Sequence, residues 1–229
     1  MIRLACIIAL LPVAAAAGSF QPPAGCTTKM TVQYKQCRVS NYYVCTQDAP
    51  GDMWRSDSDQ QGPFFLSRTN SEGEWMESYD GNDSGAERLD QVNDAGSISN
   101  LMATGTDSYD FWQRRSNGSR THTVGRDSLT GQTEVIDGQS LAQTKYRLTE
   151  TDEAGNILRE SRGNEFISQE LGTFFSGSSE HRFNEGEWVA SNDRPMSFAF
   201  PGEDGFEAGQ PIFDCDEVLS GLPTGGSHG

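Results

Sequence analysis

The chain has 229 residues, with 33 acidic side chains against 17 basic ones and a formal net charge of −16. A protein that binds phosphates needs a basic face, so this balance argues against nucleic acid or an anionic membrane surface as the partner. Aromatic residues make up 10% of the chain, which is enough large apolar side chains to exclude wholesale disorder.

The start of the chain has the three parts of a secretory signal peptide. Arg3 supplies a positive charge, residues 4–13 form an apolar run, and residues 14–17 are all alanine. We therefore expect residues 1–17 to be removed on export. No later stretch reaches the roughly 20 apolar residues of a membrane helix, so no membrane span is expected. The short signal and the preference for Arg over Lys indicate the periplasm of a Gram-negative-like bacterium, or secretion from it.

Four cysteines follow the signal: Cys26, Cys37, Cys45 and Cys215. An even number in an exported chain predicts two disulfides, and the lack of a Cys-x-x-Cys pair argues against a metal site. Every possible connectivity links Cys215 to the N-terminal segment. The connectivity itself stays open, because a turn near Ser40 could bring Cys37 to Cys45, or each could pair elsewhere.

Domain limits follow from composition. Residues 18–25 are rich in Pro and Gly and residues 221–229 in Gly, so we expect both to be flexible and residues 26–220 to form a single β-rich domain. The clearest hairpin has strands near residues 64–66 and 74–79. Turn residues between these strands and later in the chain predict turns at 70–73, 93–96, 117–118, 130–131, 137–138, 152–155 and 184–186.

One turn has the pattern of a calcium loop. Asp80, Asn82 and Ser84 place oxygen ligands at alternating positions and Gly85 follows, as in the first half of an EF-hand loop. Gln91 stands where a bidentate Glu is expected, and the same residue types are common in ordinary turns. Asp80, Asn82 and Ser84 are therefore a candidate calcium site, and no other cofactor is expected.

Alternation predicts strands in place of helices. Ala142, Thr144, Tyr146 and Leu148 share one face of a predicted strand that extends over residues 142–151. Residues 87–92 and 210–219 could hold a turn or two of helix. The expected fold is all-β, an antiparallel up-and-down meander curled into an open half-barrel or a closed barrel, with little helix.

The sequence contains no recognisable catalytic motif. It has no Gly-x-Ser-x-Gly, and no cysteine remains free once the disulfides form. His122 and His181 lie in no motif that places a serine beside them, so both are predicted to be surface residues of strands. A glycosidase needs only two suitably spaced carboxylates, and a chain this acidic neither excludes nor supports one.

Aromatic residues recur through the predicted strands, and most should fill the core. Three adjacent pairs place one ring on each face of a strand: Phe64 with Phe65, Phe111 with Trp112, and Phe174 with Phe175. One ring of each pair would need a short helix, a loop, a ligand or a partner to cover it.

Together these features predict an exported, non-enzymatic β-protein that binds an apolar ligand or an envelope partner. One alternative is a structural or adhesion module whose acidic loops bind Ca²⁺. Another is an envelope hydrolase that uses carboxylates, which would need a deep cleft containing two acids. The ligand and the oligomeric state are not predicted.

Overall fold

The computed structural model describes residues 18–81 and 85–215. The predicted signal peptide, the tail 221–229 and the centre of the candidate calcium loop lie outside the described residues. Six strands come first: β1 (Cys26–Tyr34), β2 (Arg38–Cys45), β3 (Met53–Asp59), β4 (Gly62–Thr69), β5 (Trp75–Asp80) and β6 (Ala86–Asp94).

One short helix and seven further strands follow. They are α1 (Ile98–Thr104), β7 (Thr106–Arg115), β8 (Arg120–Ile136), β9 (Gln139–Thr151), β10 (Ile157–Ser168), β11 (Thr173–Phe183), β12 (Val189–Asn192) and β13 (Pro195–Ala199). The strands form a single antiparallel sheet, in which neighbours along the chain are also neighbours in the sheet from β1 to β12. The prediction of an all-β antiparallel meander is confirmed.

The sheet is not closed. The last strand, β13, pairs with β1, and β12 pairs with β11, so these two strands are the edges. They have five and four residues, and Asp193 and Arg194 carry the chain from one edge to the other without pairing them. Within the described ranges no pairing joins β12 to β13, so the closed-barrel alternative is wrong.

Turn chemistry determined most of the hairpins. Asp137 and Gly138 have φ angles of 46° and 79°, as a two-residue type I′ turn between β8 and β9 requires. The turn predicted at residues 130–131 is wrong, because β8 continues through it. The register with β9 shifts between Leu129 and Thr133, and Gly131, at φ 76°, absorbs the extra residues as a bulge.

Neither predicted helical stretch is helical in its described part. Residues 87–92 belong to β6, and residues 210–215 contain no helix. The helix that does form, α1, was not predicted because its seven residues are too few to show a 3.6-residue period. Its ends carry clear signals: the Ser97 side chain accepts from Asn100 N at 3.1 Å, and Gly105 adopts the left-handed conformation after the last turn.

The main core lies where the two halves of the sheet meet. Tyr42 on β2 contacts Phe175 on β11, with ring centroids 5.9 Å apart, and Phe198 on β13 packs edge-on against Phe175 at 5.2 Å. The buried members of this cluster are Met30, Val32, Tyr34, Tyr42, Ile136, Leu141, Phe166, Phe175 and Phe198.

The second half of β1 is buried on both faces, and its two faces differ in chemistry. Val32 and Tyr34 belong to the core, whereas Thr31 and Gln33 lie under the segment that follows β13. Thr31 Oγ1 accepts from Glu207 N at 2.8 Å, and Gln33 Oε1 accepts from Ile212 N at 3.1 Å. We call residues 207–215 the C-terminal strap. The polar side chains of β1 are buried because they satisfy the backbone of this strap.

Two disulfides secure this end of the molecule. Cys26 pairs with Cys45 across the β1–β2 hairpin, where the two residues are direct register partners. Cys37 pairs with Cys215 at the end of the strap, which confirms the link between the N-terminal segment and Cys215. Such bonds indicate an oxidising, extracytoplasmic environment. Among the described residues, no helix is long and apolar enough to cross a membrane.

Candidate functional site

A cavity of about 370 Å³ lies on one face of the sheet, where β2 to β5 and β7 to β11 contribute side chains to its wall. We call this the cavity face and the opposite one the outer face. Because alternate residues of a strand share a face, β7 presents Asp107, Tyr109 and Phe111 to the cavity, and β8 presents Thr123 and Asp127.

Part of the wall is apolar and aromatic. The cavity is lined by Phe111, Trp75, Leu148 and Phe174, and Phe174 also packs against the cluster that contains Ile98 and Leu101 of α1. A short helix was one of the covers expected for such a ring, and α1 provides it for Phe174. The remaining wall is polar, which alternation of hydrophobic residues does not predict.

The Phe111–Trp112 pair places one ring on each face, as predicted. Phe111 faces the cavity, and Trp112 stacks on His122 on the outer face, with centroids 4.4 Å apart and planes 8° from parallel. His122 Nε2 lies 2.7 Å from Asp110 Oδ1, and this bond lowers the pKa of the Asp110 carboxyl. His122 is thus a surface residue of a strand, as predicted. His181 on β11 is likewise partly exposed, and it lies on the cavity face.

Two buried carboxyls lie opposite each other on adjacent strands of the cavity face. Asp107 on β7 and Asp127 on β8 are register partners, and each is 7% exposed. Asp107 accepts from Ser97 N and from Asn100 Nδ2, both at 2.8 Å, so it holds the start of α1. The Oδ1 atom of Asp127, by contrast, is buried and has no hydrogen-bond partner among the described residues.

Burial and mutual repulsion raise the pKa values of two carboxyls in this wall. Burial, and then the nearby Asp107 carboxyl, raise the pKa of Asp127 from 3.8 to about 7. Burial, and then Asp127, raise the pKa of Glu165 on β10 from 4.5 to about 8, although Arg55 acts in the opposite direction. Near neutral pH these groups are therefore partly or wholly protonated and can donate as well as accept hydrogen bonds.

Glycine at position 125 makes room for an aromatic ring beside these carboxyls. Gly125 is the register partner of Tyr109, and a Cβ on Gly125 would lie 2.2 Å from Tyr109 Cε2. The Tyr109 ring therefore occupies the space between Thr123 and Asp127 on β8. Burial raises the pKa of the Tyr109 hydroxyl, with a smaller contribution from Asp127, so the hydroxyl stays protonated. Thr123 Oγ1, like Asp127 Oδ1, is buried and has no hydrogen-bond partner within the described ranges.

A buried ionic cluster supports the other side of the cavity. Asp57 on β3 is 1% exposed, accepts from Ser40 Oγ at 2.7 Å, and forms ion pairs with Arg55 and Arg38. Tyr34 and Tyr42 share a hydrogen bond of 2.6 Å beside it. Arg55 extends into the cavity wall, so the cluster positions one cation opposite the buried acids.

The candidate calcium site is divided by the limits of the described chain. Asn82 and Ser84 lie outside the described residues, and Asp80 is the last residue of β5, on the exposed surface. In the described ranges no group of three or more His, Cys, Asp or Glu residues could hold a metal ion. The calcium site at Asp80, Asn82 and Ser84 stays a prediction.

Reasoning from the sequence missed Asp107, Asp127, Glu165 and Arg55. The available signal was the position of glycine inside long strands: Gly125 and Gly163 each stand two residues before one of these carboxyls, on the same face. A cavity needs such small residues in its wall. Comparison with known proteins adds no relative: no family model, curated protein or solved structure matches the chain.

Proposed function

We propose that this protein is an exported binding protein that holds a small ligand in the cavity. The observation that carries the proposal is a pocket within the usual size range of ligand sites, with aromatic walls and a few buried polar atoms that lack partners. The ligand that suits it has an apolar body beside Phe111 and Phe174. Its polar group would satisfy Asp127 Oδ1 and Thr123 Oγ1.

The path of the chain supports a curled sheet around this cavity. Thirteen flat strands would separate the two edges by roughly 58 Å, at about 4.8 Å per strand. Yet Asn192 and Pro195, one on each edge strand, are three residues apart, a span of roughly 11 Å at most. Asp193 N donates to Gly177 O at 3.0 Å, and Lys35 N donates to Arg194 O at 3.1 Å. We infer an open half-barrel in which the strand pairing is interrupted between the two edges at this link.

A hydrolase is the second candidate, because the cavity wall contains two carboxyls with raised pKa values. Binding is the better interpretation. Acid–base catalysis by a carboxyl pair needs pKa values that move apart, so that one group is ionised while the other holds a proton. Here the pKa values of Asp127 and Glu165 both move upward. Turnover of generic ester and glycoside substrates that is lost in Asp127→Asn would favour the hydrolase instead.

The test of ligand binding is native mass spectrometry of the protein exported with its own signal. The native mass should exceed the denatured, non-reduced mass by the mass of a small molecule. The neutral dye Nile red should also bind the stripped protein. Ser161→Phe, which fills the cavity face of β10, should abolish both signals.

Val135→Phe is the matched control, because Val135 is 68% exposed and lies outside the cavity wall. This variant should keep both signals. Equal native and denatured masses together with no Nile red binding would contradict the proposal, as would equal losses in both variants.

A further inference from the structure

Three arginines lie side by side on the outer face of β8, β9 and β10. In the strand register, Arg126 is opposite Arg147, and Arg147 is opposite Arg162. All three side chains are exposed. Neighbouring strands lie about 4.8 Å apart, so the three backbone positions span about 10 Å across the sheet. We call these residues the arginine row.

The arginine row differs from another row of register-paired arginines, Arg88, Arg114 and Arg120, because each of those three pairs with a carboxylate. Like charges directly opposite each other on adjacent strands destabilise a sheet. With a net charge of −16, the chain offers carboxylates for every arginine, and most arginines use them. In the parts of the chain that the structure describes, Arg126 and Arg147 are the two arginines without an ion pair. Each of the other described arginines pairs with a carboxylate: Arg38, Arg55, Arg68, Arg88, Arg114, Arg115, Arg120, Arg159, Arg162, Arg182 and Arg194.

The arginine row lies in a groove with further hydrogen-bond donors. This groove has a volume of about 630 Å³, and Ser108, Thr149 and Thr151 contribute hydroxyls to its wall. The carboxylate of Glu160 also lines the groove, where Arg182 neutralises it. At one end, Trp188 holds Arg162 by a cation–π contact, with the guanidinium carbon 4.1 Å from the ring centroid. The same guanidinium pairs with Glu180 at 2.8 Å, so Arg162 is fixed in place while Arg126 and Arg147 are available.

We propose that this groove binds a ligand that carries two or more oxyanion groups of the carboxylate, sulfate or phosphate type. Arginine forks bind such groups through paired N–H donors, and a row of cations suits several charges on one ligand better than one. The arginine row faces away from the cavity on the same strands, and Leu148 and Ser161 border both the groove and the cavity. The arginine row gives an acidic protein a local surface for an anionic partner.

The experiment is isothermal titration calorimetry at low ionic strength with three probes, namely tripolyphosphate, hexagalacturonate and a sulfated hexasaccharide. The wild-type protein should bind at least one of them, and the probe that binds best identifies the oxyanion. Arg126→Gln/Arg147→Gln should weaken binding about tenfold or more, since it removes two charged donor groups. Added salt should also weaken binding.

The control is Arg88→Gln/Arg114→Gln, which removes the same charge from two exposed arginines that already pair with Glu77 and Asp90. This double variant should bind the probes as the wild type does. Circular dichroism should show that both double variants are folded. No heat with any probe, or equal weakening in both double variants, would overturn the proposal.

Discussion

Gly125 shows how one residue can shape the wall of the cavity. A methyl group at this position would meet the Tyr109 ring at distances of 2.2 to 2.5 Å, far inside van der Waals contact. Gly125→Ala should therefore displace the ring and lower the free energy of unfolding by roughly 1–3 kcal/mol, the usual cost of overpacking. Urea denaturation of the wild type and the variant measures this difference.

The same change should be much less costly when the ring is absent. In a Tyr109→Ser background, Gly125→Ala meets open space, so the two substitutions should not be additive. A double-mutant cycle tests this coupling. If Gly125→Ala costs the same with and without Tyr109, the ring is not what requires glycine here.

One buried carboxyl, Asp127, and one partly buried carboxyl, Glu165, make stability depend on pH in a direction that is unusual for acids. The carboxyls of Asp127 and Glu165 ionise near their ordinary pKa values of 3.8 and 4.5 in the unfolded chain, but near 7 and 8 in the folded protein. Between these limits the folded state holds more protons, so stability falls as pH rises. The loss between pH 5 and pH 9 should be on the order of 2 kcal/mol or more, at about 1.4 kcal/mol per pKa unit.

Asp127→Asn should flatten this decline, because the amide cannot ionise. The variant should match the wild type more closely at pH 5 and exceed it in free energy of unfolding at pH 9. Asp110→Asn is the control: Asp110 has a lowered pKa, so its contribution is lost only as pH falls. A decline between pH 5 and pH 9 that is identical in wild type and Asp127→Asn would refute the assignment.

At the level of the elements, the adjacent strands β8, β9 and β10 carry arginines whose mutual repulsion should destabilise the sheet. Arg147 on β9 has an arginine opposite it on both neighbouring strands. Arg147→Gln should therefore raise the free energy of unfolding by roughly 0.2–1 kcal/mol, the usual size of cross-strand pair effects. The gain should shrink in high salt, where the repulsion is screened.

Arg114→Gln provides the comparison on β7, because Arg114 pairs with Asp90 at 2.9 Å. Its removal should give no gain in thermal stability at any salt concentration. If Arg147→Gln lowers the melting temperature in low salt, Arg147 stabilises the sheet through its contacts. The claim that the arginine row destabilises the sheet by repulsion would then be wrong.

Local chemistry made the hairpins predictable, because a turn is determined by the few residues within it. Asp137 and Gly138 supply two positive φ angles, and the strands on either side follow. Thr130 and Gly131 resemble the Asp137–Gly138 turn in composition, yet Gly131 forms part of a bulge inside β8. Only the pairing with β9 distinguishes a bulge from a turn, and that pairing is a tertiary property.

The candidate site was harder to predict for the same reason. Asp107 and Asp127 are twenty positions apart, and only the β7–β8 register makes them partners. A sequence this acidic contains many carboxyls, so composition alone does not identify the buried ones. The alternation of Tyr146 and Leu148 identified the face of β9 that lines the cavity, but not the charged groups across from it.

For the whole molecule, the C-terminal strap closes the largest loop in the chain. Cys37 and Cys215 are 178 positions apart, whereas Cys26 and Cys45 are 19 apart. In the loop-entropy model these bridges stabilise by about 5 and about 3 kcal/mol. Cys37→Ser/Cys215→Ser should thus lower the free energy of unfolding by about 2 kcal/mol more than Cys26→Ser/Cys45→Ser.

The position of the Cys37–Cys215 bridge at the end of the strap should add to the difference between the two double variants. Without the long bridge, the strap can leave β1 and expose Thr31 and Gln33, whose side chains otherwise bond to its backbone. Hydrogen exchange of β1 amides should therefore accelerate in Cys37→Ser/Cys215→Ser well before global unfolding. In Cys26→Ser/Cys45→Ser the strap stays anchored, so the same amides should keep their protection. Equal protection of β1 in both variants would mean that the strap holds β1 through its hydrogen bonds alone.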